Sequence, residues 1–188
     1  MKKNEMAVAI ARDVLKHLRS LKVRDRNGYV GLNDKYECTP KSLSNLSGKE
    51  QLQNHLPVVV KYCDVCALGA CFLSYVRLYD KIQVSSLVQS YDFGLKSDKL
   101  VSILNVCFSL EQRNLIESAF ELNRMDEGIY GTKHIYAAED AVDYAIEFGK
   151  QYEDPKERLR AIMKNIIKNN GQFCPPVPQQ MDAACVCT

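Results

Sequence analysis

Apolar residues recur at helical spacing from the start of the chain. Ala7, Ile10, Val14, Leu18 and Leu21 share one stripe, with Arg12, Lys16 and Arg19 opposite. This period predicts an amphipathic helix over 5–21. The pattern then changes. Asn27-Gly28 is a turn pair that tolerates positive φ, and the β-prone segments beside it predict a small β-hairpin within 22–32. Residues 33–56 are polar, with Pro40 and Gly48, and read as a loop holding at most one short helical turn. From Pro57 to about Ile82 the chain is apolar. A long helix over 58–81 is predicted, with Pro57 in its first turn, where its missing N–H costs no bond. Tyr62 to Tyr79 is apolar nearly all round such a helix, which places it at the centre of a core. Ala67, Gly69 and Ala70 would let a neighbouring helix come close.

The second half carries stronger local signals. Residues 97–107 predict a short helix. Ser109-Leu-Glu-Gln112 is a capping box: the Ser109 hydroxyl accepts from the Gln112 amide and the Gln112 side chain reaches back. That helix runs to Leu122. Ala138, Ala141, Val142, Ala145 and Phe148 form the stripe of a helix over 137–151. Asp154 caps a last helix with Pro155 at its first position. Leu159, Ile162, Met163, Ile166 and Ile167 form its apolar face, and Gly171 falls where left-handed caps occur. The fold class is therefore all-α: five to six helices around a central apolar helix, with one small hairpin. A single domain covers 1–173. The Pro-rich remainder, 174–188, reads as a flexible tail.

Composition narrows the function. The chain has 188 residues, 46% hydrophobic and 26% charged, with a net charge of +2. That is ordinary for one globular domain and too small a charge to imply a nucleic-acid or membrane partner by itself. Eight cysteines occur: Cys38, Cys63, Cys66, Cys71, Cys107, Cys174, Cys185 and Cys187. Arg12 and Asp13 interrupt the N-terminal apolar stretch, so no secretory h-region is read there. No run of eighteen apolar residues exists to span a membrane. A cytoplasmic protein with reduced thiols is expected. Charge is uneven: residues 1–26 hold eight Lys/Arg against three Asp/Glu, and 155–168 hold five against one. Residues 111–154, between them, hold four against eleven.

Four groups of residues are candidates for chemistry. Cys63 and Cys66 form a C-x-x-C pair, half of a zinc site that Cys185 and Cys187 would complete. Their place in an apolar run favours packing over metal, and metal over catalysis. A nucleophilic cysteine needs an imidazole base, and only His17, His55 and His134 exist. Glu117 and Glu121, one turn apart, read as surface carboxylates, because the Glu-x-x-His motifs of di-metal bundles are missing. The loop after Leu122 resembles an EF-hand but places His134 where a bidentate glutamate belongs. Lys156, Arg160, Lys164 and Lys168 form a basic stripe that suits a partner, although no aromatic residue interleaves it.

The stretch Cys63-Asp-Val-Cys-Ala-Leu-Gly-Ala-Cys-Phe-Leu-Ser74 resembles the C-x-V-C-A-L-G-A-x-F-L-S helix motif of a family of small, uncharacterised bacterial and phage proteins. Gly28-Tyr29-Val30, Glu111 to Glu121 and Arg158 to Gly171 match its other segments. The resemblance implies a bacterial or phage cytosol and assigns no catalytic residue. The residues favour a non-enzymatic interaction protein with no cofactor, binding another protein or itself as a homo-oligomer. Two alternatives stand beside it: a zinc-binding or cysteine-dependent enzyme using Cys63 and Cys66, and nucleic-acid binding through the basic C-terminal helix.

Overall fold

The computed structural model describes residues 2–25, 29–33, 35–36, 51–79, 97–123 and 137–176. Among these the elements run α1 (Lys3–His17), β1 (Lys22–Val23), β2 (Val30–Leu32), α2 (Leu52–Tyr62), β3 (Cys63–Val65), α3 (Ala67–Tyr79), α4 (Ser97–Leu104), α5 (Leu110–Glu121), α6 (Glu139–Lys150) and α7 (Pro155–Lys168). The protein is mainly helical with one small sheet. Cys38, His134, Cys185, Cys187, the Asn27-Gly28 turn, the acidic loop after Asn123 and residues 177–188 lie outside the described residues.

The expected helix over 58–81 is, as far as Tyr79, two helices with a strand between them, which makes seven helices among the described residues where five to six were expected. Helix α2 begins at Leu52, in the region expected to be loop, and Pro57 lies inside it rather than at its start. Its buried stripe is Leu52, Leu56 and Val59. Strand β3 interrupts the helical pattern because two distant segments hydrogen-bond to its two edges. It is the centre of the sheet, in the order β1-β3-β2. β1 pairs with it in parallel and β2 antiparallel. The strands expected to form a hairpin therefore both exist but do not pair with each other.

Helix α3 is the core of the molecule, as its sequence predicts. Every residue from Ala67 to Ser74 is buried. It packs against α1, α2, α4 and α5. What approaches Gly69 is not a helix but the backbone of Tyr29, whose carbonyl accepts the Cys66 N–H at 3.2 Å. Helix α1 buries Ala7, Ile10, Ala11 and Val14 between α3 and α7. Buried Asp13 on its flank pairs with Arg77 of α3 and with His17. Helix α7 runs antiparallel to α1. Gly171, just past its end, lies against Asn4, while Arg158 in its first turn reaches Asp25 beyond β1 at 3.6 Å. Gly171 has φ +95°, the left-handed cap that the sequence indicates.

Candidate functional site

The sheet positions a buried acid. Strand alternation turns Val23, Val30, Leu32, Cys63 and Val65 to one face and Lys22, Gly31 and Asp64 to the other. Asp64 is 4% exposed. Asn33 donates from Nδ2 to its Oδ1 at 2.5 Å, and the Arg24 Nε lies 3.2 Å from its Oδ2. A carboxylate taken out of water needs such partners, since an isolated buried charge is costly. This acid fastens the residues after β1 and β2 to the middle strand.

The C-x-x-C pair is split by the same strand. Three extended residues set the two Cα atoms about 10 Å apart, beyond the reach of a disulfide. Burial, helped by the Asp64 charge, pushes the Cys63 thiol up to about 12. Cys66 sits in the N-cap place of α3, its carbonyl accepting the Ala70 N–H at 2.9 Å. Burial first, and then the nearby Glu117 charge, raise its thiol well above the ordinary value. The Gly69 and Leu68 amides, which donate to its sulfur, pull the other way. Such thiols are protonated at neutral pH, whereas the thiolate is the nucleophile and metal ligand. The charges that act most on them are carboxylates and one lysine, with no imidazole base among them. Cys63 and Cys66 join no group of three or more metal-ligating side chains among the described residues.

Glu117 departs most from the sequence reading. It is not on the surface but 5% exposed on α5, beside Cys66. The helical pattern concealed this, because the Tyr29 segment that covers it is joined through β2 rather than through a neighbouring helix. Burial lifts its carboxyl to about 7, against the pull of the Tyr29 hydroxyl, which donates to it, and of Arg113. The folded protein thus holds a proton that the unfolded chain releases above the ordinary glutamate value of 4.5. Stability from this group is fully present below that value and is lost as pH rises through about 7. The full loss amounts to roughly 3 kcal/mol. Urea unfolding at acidic and alkaline pH checks this: Glu117→Gln should flatten the fall between the two, since glutamine stays neutral throughout.

Two cationic features remain. Of the predicted basic stripe on α7, Lys164 and Lys168 are exposed, Lys156 is half-buried and Arg160 is bonded to Glu157. On the adjacent α1, Arg12 and Lys16 are exposed, as is Arg19 just beyond it. The acidic helix α6 packs along α5, and its Glu147 pairs with its own Lys150 at 2.7 Å. The second feature left no trace in sequence spacing. The sheet register gathers Lys22, Lys35, Tyr36, Lys61 and Tyr62 at one end of the sheet. No described helix is long and apolar enough to cross a membrane. Comparison of the chain with protein-family models, with curated proteins and with solved structures gives no match.

Proposed function

We propose that this chain is a non-enzymatic binding protein that docks an anionic macromolecule on the face shared by α1 and α7. The observation that carries this reading is the set of exposed cations on two packed antiparallel helices: Arg12 and Lys16 on α1, Arg19 just beyond it, and Lys164 and Lys168 on α7. The buried, protonated thiols of Cys63 and Cys66 support the same reading, because they leave that pair as packing rather than chemistry. The motif resemblance supports a bacterial or phage cytosol as its setting.

The test is heparin, a polyanion with no base to stack. The protein should bind immobilised heparin at about 50 mM salt, and Lys164→Glu with Lys168→Glu should lower the salt-dependence slope by about two. Both side chains are exposed, so the double variant folds as the parent does. A parent protein that passes through the column unretained overturns the proposal.

A further inference from the structure

The sheet register places the start of β1, the start of β3 and the end of β2 at the same end of the sheet. Two hydrogen bonds then hold Lys35 and Tyr36 just beyond β2. The Tyr36 N–H donates to the Asn33 carbonyl at 3.0 Å, and the Lys35 N–H donates to the Asn33 side chain at 3.2 Å. Asn33 is itself held by the Asn33 N–H bond to Tyr62 O at 2.9 Å and by Asp64. Tyr36 therefore meets Tyr62 edge to face, with ring centroids 5.1 Å apart. Three ammonium groups surround the pair. Lys35 and Lys22 lie 5.2 and 5.8 Å from the Tyr36 centroid, and Lys61 lies 5.0 Å from that of Tyr62. Lys22 also donates to the Lys61 carbonyl. Lys35 and Lys61 are exposed and both rings are half-buried. Gly31 stands on the Lys22 side of the sheet, and no described residue comes within 4 Å of where its Cβ would be.

We propose that the Tyr36–Tyr62 pair and the lysines around it bind single-stranded nucleic acid, with a base on a tyrosine ring and backbone phosphates on Lys22, Lys35 and Lys61. The chemistry selects this ligand. Lysines alone would suit any polyanion, but an aromatic plane among them adds a term that only a ligand with flat faces can collect. A duplex hides its base faces in the stack, whereas a single strand offers them. An ammonium now over a ring is displaced by the base and swings on its flexible stem to a phosphate. The proposal rests on the reading of an anionic partner and extends it to a second surface.

Anisotropy of labelled oligothymidylate and oligouridylate of about 16 nucleotides, a duplex of equal length and heparin tests both readings together. The single strands should bind more tightly than the duplex, and Tyr36→Leu should weaken them about tenfold while leaving heparin unchanged. If Tyr36→Leu unfolds, Lys35→Glu, at an exposed position, tests the phosphate contact, and single-strand affinity equal to the parent's then overturns the inference. A failure of both single strands to bind, or equal affinity for Tyr36→Leu and the parent, overturns the inference. If heparin binding still falls in the Lys164/Lys168 variant, the broader reading survives that result. If the parent does not bind heparin while Tyr36→Leu weakens strand binding, the α1–α7 reading falls and this one stands.

Discussion

Gly69→Ala is expected to remove most of the protein's stability. A Cβ built at this position stands 1.7 Å from the Tyr29 carbonyl oxygen and 2.6 Å from its carbon. The obstacle is backbone, so no side-chain rotation relieves it. The Tyr29 carbonyl is held by the Cys66 N–H, and the next residue, Val30, pairs with Val65 across the sheet. Making room means drawing β2 away from β3 and opening the cover over Glu117. Ordinary overpacking costs about 1–3 kcal/mol, and this displacement should exceed about 4 kcal/mol. Gly31→Ala is the matched control. No described residue lies within 4 Å of its Cβ, so its unfolding free energy in urea should stay within about 0.5 kcal/mol of the parent's. A folded Gly69→Ala protein with an unchanged midpoint would mean that the Tyr29 segment does not lie on α3.

Arg158→Ala should come next in size. The Arg158 guanidinium is 2% exposed, deeper than any other charged group among the described residues. It donates to the Phe120 carbonyl in the last turn of α5, to the Tyr152 carbonyl at 3.1 and 3.2 Å, and to that of Glu153 at 3.4 Å. Its Asp25 partner is 49% exposed, so the ion pair itself contributes little. The cost comes from carbonyls left in the interior without a donor, at about 1–3 kcal/mol each. A loss of about 3–5 kcal/mol by denaturant unfolding is expected. Arg158→Lys should recover only part of it, because an ammonium cannot reproduce the planar fork that spans three carbonyls. Equal stability of Arg158→Lys and the parent would show that one donor suffices. The side chain anchors α7, so the cations of that helix are displayed only while this anchor holds.

Sequence reading succeeded where the physics is local. Ser109 does accept the Gln112 amide at 3.1 Å, Asp154 accepts that of Glu157 at 2.9 Å, and Gly171 is left-handed. Each feature involves residues a few positions apart. Even there one half failed: the Gln112 side chain does not return to Ser109 but brackets the backbone of Phe173, with its Oε1 2.5 Å from the Phe173 nitrogen. The larger misses share one cause. Cys63-Asp-Val looks helical because its neighbours are apolar on every side, and only its pairing with residues 22–23 and 30–32 makes it a strand. The burial of Glu117 and the meeting of Tyr36 with Tyr62 depend on that pairing in turn. The basic stripe was legible because it belongs to a single helix. The tyrosine–lysine cluster was not, because its members come from three separated segments.

The three residues of β3 have a consequence for how the molecule becomes ordered. Both of their hydrogen-bonding edges are filled by chain that precedes them, and none by the helices after them. A fragment cut before residue 51 would keep α3 and yet strand its entrance, with peptide groups on both flanks facing a dry interior. The first thirty-odd residues are therefore no appendage that proteolysis can trim away. They complete the interior by covering both flanks of the middle strand.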